Sequence, residues 1–319
     1  MPFSHDAFKT ARSMSLQKFG DKHPESVFYV VYREKLGSGF FSNVFHVLGH
    51  LHIAQTLGLI PVIDMRHFPS LYNEDEPIQG SSNAWEYYFE QPARYSLGEV
   101  YESRNVAFCD GKFPWEIYDN SLAMPLARRY LRPKQYVNDL IEAFFRDYFA
   151  HSSHILGVHF RGQEQKNAPC HPACPTCEQM ISKTKYLLDT YPIDKIFLVT
   201  EEQAYLDIFV QTFGERIVFT NAFRTYDINA YHIRPYPREQ HMFRLGLDVL
   251  VDTMLLARTQ YLLAGGKDGV ASGSNVSQMA QVLNGNQYTH VELIDNGINE
   301  GPSLLSRVCG KIKRIIKGQ

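Results

Sequence analysis

The sequence predicts an α/β fold with two Rossmann-like halves, each built on a parallel sheet. Short apolar, β-branched segments alternate with segments of helical periodicity, which is the pattern of βαβ units. The 319 residues, 44% of them hydrophobic, are enough for two domains of ordinary size. Polar residues at 151–154 interrupt the periodicity. We therefore expect an N-terminal domain over residues 1–150, a C-terminal domain over 151–300 and a separate basic segment over 301–319.

The N-terminal half begins with one clear βαβ unit. Val27–Tyr32 is β-branched and aromatic and predicts a strand, which a glycine-rich turn at Gly37–Ser42 follows. From Asn43 onward, apolar residues recur every three or four positions and predict a helix, before a strand at Ile60–Ile63. The aromatic region that comes next has no clear period until a further helix over residues 137–148.

The second half alternates strands and helices more regularly, which predicts a doubly wound parallel sheet. Such sheets bind ligands at the carboxyl ends of their strands, so polar residues there are candidate site residues. We predict strands at Ile155–Phe160, Ile196–Thr200, Ile217–Phe219, Tyr261–Ala264 and Val291–Ile294, and helices near Gln179–Thr190, Ala204–Phe213, Leu247–Arg258 and Val276–Leu283.

Composition and charge limit the classes of function. The 32 basic and 34 acidic side chains nearly balance, so nothing favours a nucleic acid as partner. The N-terminus lacks the apolar core of a signal peptide, no stretch is apolar enough to span a bilayer, and five unevenly spaced cysteines do not resemble a disulfide framework. We therefore expect a cytoplasmic protein. The basic, aliphatic segment 301–319 could lie on the inner face of a membrane as an amphipathic helix, or dock as a solvated terminal helix.

The first candidate site lies where the predicted strand Ile155–Phe160 ends. Alternation along the strand places His159 and Arg161 on the same side, so both can converge on one ligand. A guanidinium suits a diphosphate because it forms paired hydrogen bonds and stays charged when it is partly buried. The alternative is that Arg161 pairs with a neighbouring carboxylate.

A second candidate site is the glycine- and serine-rich loop before the helix predicted at Val276–Leu283. Ser274 or Asn275 can cap that helix, whose first N–H groups then form a phosphate site. The hydroxyls of Ser272, Ser274 and Ser277 add donors. The loop matches neither a Walker loop nor the dinucleotide fingerprint, which disfavours ATP hydrolysis and NAD chemistry. An ordinary serine-rich helix cap is the alternative.

A third candidate site follows the predicted strand Ile196–Thr200. Thr200 and Glu201 are polar residues at its carboxyl end, where a carboxylate can accept hydrogen bonds from a ribose or from a guanine edge. Glu201 and Glu202 could instead merely favour the N-terminus of the next helix.

In this order, the three segments resemble the donor-site motifs of the inverting GDP-fucose transferases, a superfamily of α1,6-fucosyltransferases, bacterial nodulation enzymes and protein O-fucosyltransferases. The segment GVHFR resembles the strand that carries the superfamily's essential arginine, and IFLVTEE resembles its second motif. The helix DVLVDTMLLARTQYLL followed by SGSNVS resembles the third motif, and GSGFFSNVFHVLGH resembles the opening glycine-rich turn and helix.

The resemblance implies a GT-B fold, in which two Rossmann-like domains with parallel sheets face each other across a cleft. It implies transfer of fucose, or a related sugar, from a GDP-sugar to a glycan acceptor, with inversion and with no required metal or cofactor. Arg161 would neutralise the departing phosphate, and Gly39, Phe40 and Asn43 would face the substrate. Donor contacts would come from His159, Thr200, Glu201, Asp252, Ser272, Ser274, Asn275 and Ser277.

Other candidate residues come from the loops. The loop between the second and third motifs is rich in Arg, His and Tyr, so Arg224 and His232 are candidate substrate contacts. The resemblance identifies no general base, because relatives continue the arginine motif as R-x-T-D where this chain has Gly162-Gln163-Glu164. Glu164 is the candidate base by proximity, with Glu34 and Asp64 as further candidates and substrate-assisted deprotonation as another route.

Two alternatives to a fucosyltransferase remain open on the sequence. The altered residues after Arg161 are compatible with a catalytically silent module that binds a nucleotide sugar or glycan, or with a transferase that uses another nucleotide sugar. A cysteine-rich loop suggests a zinc-stabilised interaction protein, since three thiolates and an imidazole can complete a tetrahedral shell. The spacing is compact and lacks a separated second pair, so we expect free thiols there. These four residues are Cys170, His171, Cys174 and Cys177.

Overall fold

A computed structural model describes residues 15–161, 173–227, 236–267 and 274–297. The chain forms two compact units. The first comprises the chain up to Asp147 with Tyr236–Ala257 and Met279–Asn286, and the second comprises Tyr148–Pro235, Arg258–Gln278 and the chain from Gln287 onward. The units are therefore discontinuous in sequence, whereas we expected two continuous domains that meet at residue 150.

The described strands form two sheets. They are β1 (Leu16–Gln17), β2 (Phe28–Val31), β3 (Ile60–Ile63), β4 (Val106–Phe108), β5 (Ile155–His159), β6 (Lys195–Val199), β7 (Ile217–Val218), β8 (Tyr261–Gly265) and β9 (His290–Ile294).

The described α-helices connect these strands or pack beside them. They are α1 (Phe40–Leu57), α2 (Ala84–Tyr88), α3 (Leu97–Val100), α4 (Asn120–Tyr130), α5 (Gln135–Phe144), α6 (Cys177–Thr190), α7 (Gln203–Phe213), α8 (His241–Leu256) and α9 (Asn275–Asn284).

The first unit contains a four-stranded sheet in the order β1-β4-β2-β3. The central strand β2 is parallel to β3 and to β4, and the short edge strand β1 is antiparallel to β4. Helix α1 connects β2 to β3 and begins at Phe40, three residues before the predicted start. It ends at Gly58, which takes a left-handed φ of 66° that glycine adopts without a Cβ clash.

Helix α8 packs in the first unit although it lies far along the chain. It contacts α2 and α5, and the ring of Phe243 stacks on that of Tyr88 with centroids 5.7 Å apart. The Tyr88 hydroxyl donates to the Phe243 carbonyl at 2.9 Å. The helix begins six residues before the predicted start, because His241–Leu245 are mostly buried and extend its apolar face. Tertiary packing rather than sequence order therefore decides which unit holds α8.

The second unit contains a five-stranded sheet in which every pair is parallel, in the order β7-β6-β5-β8-β9. All five residues of β5 are buried, as expected for a central strand covered on both faces. Side chains from β5, β6 and β8 form one apolar core with residues of α6 and α7. Within the described ranges, no helix combines the length and the apolarity that crossing a bilayer requires.

Candidate functional site

An open pocket of about 420 Å³ lies at the carboxyl edge of the five-stranded sheet. The chain leaves β5 toward β6 on one side, while β8 lies on the other side, so β5 and β8 flank a topological switch point. The pocket is lined by residues that follow β5, β8 and β9, by the start of α9 and by the segment before α6. These include His159, Arg161, Cys174, Gly265, Gly266, Ser274, Ser277 and Asp295.

The carboxyl end of β5 brings His159 and Arg161 into this lining together. His159 is buried, and its burial, reinforced by the charge of Arg161, lowers the pKa of the imidazole to about 3. The ring is therefore neutral near pH 7 and acts as a hydrogen-bonding group rather than a cation. Arg161 is partly exposed and supplies positive charge at the same edge.

The start of α9 is built by Ser274. Its hydroxyl oxygen accepts the N–H of Val276 at 3.3 Å, and its carbonyl accepts the hydroxyl of Ser277 at 3.2 Å. The first turn, which begins at Asn275, carries no acidic residue, so the positive end of the helix dipole meets no opposing charge there. This is the arrangement in which a helix N-terminus binds an anion. Ser272 lies outside the described residues.

The carboxyl end of β6 places its polar residues away from the pocket lining. Thr200 is buried, and its hydroxyl oxygen accepts the N–H of Glu202 at 3.3 Å. Glu201 contributes a backbone contact, since its carbonyl accepts the N–H of Thr225. Glu202, which the sequence analysis did not select, is 5% exposed and has one buried carboxylate oxygen without a hydrogen-bond partner.

Arg224 lies in the loop after β7 and makes most of its contacts within that loop. One terminal nitrogen donates to the carbonyls of Thr220 and Ala222, and the guanidinium lies 5.3 Å from the centre of the Phe219 ring. Its Nε and second terminal nitrogen are buried without a hydrogen-bond partner. The loop therefore retains donor capacity that the protein itself does not use.

Asp252 is a further predicted donor contact. It lies in α8, is 5% exposed and belongs to the first unit, whereas every lining residue of the pocket belongs to the second. The resemblance groups Asp252 with the serine-rich loop as parts of one motif, whereas Asp252 belongs to the first unit and Ser274 and Ser277 belong to the second.

The predicted substrate-facing residues of the first unit cluster at the start of α1. Phe40 is buried in an aromatic group, and its N–H donates to the Tyr72 hydroxyl at 2.9 Å. Asn43 accepts a hydrogen bond from Arg33 at 3.0 Å, and its amide nitrogen donates to the Ser38 carbonyl. Arg33 was missed by the sequence analysis because it lies ten residues before Asn43, in the preceding loop. Gly39, at the N-cap of α1, makes no side-chain cap.

Phe40 and Asn43 line a second pocket, of about 260 Å³, in the same unit. Four of its eight other lining residues are aromatic, and Ser70 adds a hydroxyl. Aromatic faces with a few polar atoms suit the apolar faces and hydroxyl edges of sugar rings. The remaining aromatic walls are Tyr72, Trp85, Tyr88 and Phe89.

Asp64, a further candidate base, is fully used by neighbouring donors. One oxygen accepts the N–H groups of Arg66 and His67, both at 2.9 Å. The other accepts His67 Nδ1 at 2.8 Å and the Tyr101 hydroxyl at 2.7 Å. A fully buried carboxylate with four donors orients those partners. His67 is half exposed.

Several predicted residues lie outside the described ranges. They are Glu164, Ser272, His232, Cys170 and His171. Cys174 lines the pocket and Cys177 begins α6, and neither forms a disulfide. The zinc interpretation of the cysteine loop therefore stays a prediction.

Comparison with known proteins shows which solved structures have a similar fold. No protein-family model matches the sequence, and no curated protein matches it significantly. A NodZ α-1,6-fucosyltransferase co-crystallised with GDP is similar in structure, with a TM-score of 0.54, 19% identity, and coverage of 85% of this chain and 96% of that chain. The fucosyltransferase NodZ from Bradyrhizobium gives a TM-score of 0.55, 18% identity, and coverage of 85% and 100%. NodZ soaked with GDP-fucose gives a TM-score of 0.53 and 18% identity, and the alignment covers 85% of this chain and 100% of that chain.

This likeness confirms the predicted α/β fold of the GT-B type, with two units that each contain parallel strands. The resemblance that the motifs indicated thus extends to the backbone over most of the chain.

Proposed function

We propose that this protein is an inverting, metal-independent glycosyltransferase that transfers fucose from GDP-fucose to a glycan acceptor. The observation that carries the proposal is the meeting of Arg161, a neutral His159 and the first turn of α9 in one pocket at the switch point of a parallel sheet. Glycine at 265 and 266 keeps side chains out of the lining there, so a pyrophosphate can approach the backbone closely. The solved NodZ structures with GDP and with GDP-fucose share the fold, which supports this donor.

Arg161 has the central role in the proposed chemistry. The acceptor oxygen attacks the anomeric carbon from the face opposite the phosphate, so one C–O bond forms as the bond to the β-phosphate oxygen breaks and the configuration inverts. The departing oxygen takes the electron pair, and the guanidinium with the helix N-terminus stabilises that negative charge, a role that metals play in other transferases. We place the acceptor on the first unit, beside Asn43 and the aromatic pocket.

The acceptor proton must pass to a base. Glu164 remains our candidate by its closeness to Arg161 in sequence. Because Asp64 is saturated with donors, we propose His67, which Asp64 holds through Nδ1, as the alternative in its place. A carboxylate that fixes the tautomer of a half-exposed histidine leaves the other ring nitrogen free to accept a proton.

Two further parts of the proposal concern location. We place the reaction in the cytoplasm, where nucleotide sugars are at hand. The basic segment 301–319, which lies outside the described residues, is our candidate for a peripheral membrane contact.

A nucleotide panel tests the proposal directly. The full-length protein is heated with GDP, UDP, CDP or ADP and with their fucose, glucose or galactose conjugates, and the unfolding midpoint is recorded. We expect GDP and GDP-fucose to raise the midpoint most, because a ligand that binds only the folded state stabilises it. Preference for UDP would reassign the donor class.

Product analysis separates an enzyme from a binding module. Samples from the same panel are assayed for release of GDP from GDP-fucose, with and without a mixture of glycan acceptors. A transferase releases GDP and yields a fucosylated product whose anomeric configuration is opposite to that of the donor. Binding without release or transfer under every acceptor condition would favour the catalytically silent module.

A further inference from the structure

The first unit contains a buried cluster of three potential metal ligands that the proposed reaction does not use. His46 and His50 lie one turn apart on α1, and Cys109 follows β4. One ligand atom of each residue lies within 4.8 Å of the other two. The residues are only 1–2% exposed. In a tetrahedral zinc site, ligand atoms lie roughly 3.3–3.8 Å apart, so the cluster needs to close by about 1 Å.

The hydrogen bonds of the two histidines leave one ring nitrogen of each with a lone pair, which is unpartnered on His46 and hydrogen-bonded to the Tyr29 hydroxyl on His50. Nε2 of His46 lies 2.8 Å from the Tyr32 carbonyl, and Nε2 of His50 lies 2.9 Å from the Lys112 carbonyl. A carbonyl only accepts, so each Nε2 carries the proton and each Nδ1 carries a lone pair. Metal-ligating histidines typically donate their other N–H to a carbonyl in this way.

The lone pair on His46 Nδ1 has no partner. The atom is buried and makes no hydrogen bond, a cost that proteins rarely accept without compensation. A cation at this position would use the lone pair directly.

The neighbouring groups also fit a soft or borderline cation. A thiolate with two imidazoles is a donor set typical of Zn²⁺ rather than of Mg²⁺ or Ca²⁺. Asp110, next to Cys109, contributes negative potential at both histidines and at the thiol. The Tyr29 hydroxyl lies 3.0 Å from His50 Nδ1, so a metal bound at this nitrogen would replace that hydrogen bond.

We propose that His46, His50 and Cys109 form a structural site for a transition-metal ion such as Zn²⁺. On binding, the Cys109 S–H proton leaves to solvent, a metal–sulfur bond forms, and each imidazole donates the lone pair of one ring nitrogen. The three ligands belong to the first unit, and the residues that line the pocket with Arg161 belong to the second.

Metal content and a cobalt spectrum test the site in the full-length protein. The protein is incubated with Zn²⁺ or Co²⁺, desalted and measured by elemental analysis and absorbance. We expect about one metal ion per chain and, with Co²⁺, a thiolate-to-metal charge-transfer band. A variant with Cys170→Ser, Cys174→Ser and Cys177→Ser should retain both signals, which excludes the cysteine loop as their source.

Substitutions at the cluster then locate the metal. Cys109→Ser should lose the charge-transfer band and most of the bound metal, whereas His52→Asn, on the same helix, should keep both. Circular dichroism of each variant reports whether it folds. If the triple cysteine variant, which leaves the cluster intact, binds no metal and shows no charge-transfer band, the proposal is overturned regardless of how the cluster variants behave.

Discussion

The carboxyl edges of the two parallel sheets use their polar side chains differently. On the four-stranded sheet, Asp64 accepts four hydrogen bonds from its own unit, and Asn43 is held by Arg33. On the five-stranded sheet, His159 and Arg161 line an open pocket together with glycines and a helix N-terminus.

Residues at the carboxyl ends of parallel strands can therefore either stabilise the fold or bind a ligand. Polar groups that are hydrogen-bonded within the protein hold an edge in place, and their removal lowers the free energy of unfolding. Glycines and a helix N-terminus leave room and positive potential, so such an edge can accept an anion from solution. We therefore expect mutations at Asp64 to lower the free energy of unfolding and mutations at Arg161 to weaken nucleotide binding.

Arg161→Ala should have the largest effect and should act on ligand binding. Loss of charge-assisted hydrogen bonds to a pyrophosphate weakens GDP-fucose binding by about 100-fold, and transfer by about 100- to 1,000-fold. Arg161→Lys should recover only part of either, because an ammonium keeps the charge but lacks the planar fork. Isothermal titration with GDP and an assay of GDP release measure the two effects.

Arg216→Ala is the matched control for this prediction. Arg216 is an exposed arginine in the same unit and does not line the pocket. Its removal should leave GDP affinity unchanged. Equal losses in the two variants would mean that the general charge of the unit, rather than the pocket, attracts the nucleotide, and the contrast between the two edges would fail.

Asp64→Asn should lower the stability of the protein and leave nucleotide binding unchanged. An amide keeps one acceptor oxygen, so the donors at the other position, His67 Nδ1 and the Tyr101 hydroxyl, lose their partner at a cost of about 2 kcal/mol of unfolding free energy. Both tryptophans, Trp85 and Trp115, lie in the first unit, so tryptophan fluorescence during urea denaturation reports on it.

The companion variant for Asp64 is Asp119→Asn. Asp119 caps α4 in the same unit, and asparagine caps helices about as well, so little stability should be lost. GDP affinity should be unchanged in both variants. A weakened nucleotide affinity in Asp64→Asn would show that the first unit's edge serves the donor as well.

The sequence predicted the second sheet well because its strands are continuous apolar segments. Strands β5 to β9 lie within one residue of their predicted ends, and the predicted pocket follows from where those strands stop. Strands β1 and β4 were missed, since they are only two and three residues long and lie in segments without a clear period. The discontinuous units were also missed, because the packing of α8 against α2 and α5 leaves no local signal.

Only those parts of the candidate site whose residues are close in sequence could be predicted. His159 and Arg161 share one strand end, so alternation was enough to bring them together. Arg33 with Asn43, and Asp64 with Tyr101, meet only through the fold, as does Cys109 with the histidines of α1. Spacing along a chain cannot indicate such pairs unless a known motif contains them.

The smallest predicted effect, taken per pH unit, is the pH dependence that His159 confers. Its folded pKa of about 3 lies below the unfolded value of about 6.5, so the unfolded state binds the proton first as the pH falls. Wild-type stability should therefore be fully present above about pH 6.5 and decline toward pH 3, by about 1 kcal/mol per pH unit from this residue. His159→Gln lacks this contribution.

The difference between the two unfolding free energies, followed by circular dichroism in urea at pH 7, 6 and 5, isolates His159 from the other histidines that both chains share. Wild type should lose stability relative to His159→Gln at each step down, and the neutral imidazole should leave GDP-fucose affinity without an inflection near pH 6.5. A difference that stays constant from pH 7 to 5 would place the protonated ring in the folded pocket, where a second cation beside Arg161 would strengthen anion binding as the pH falls.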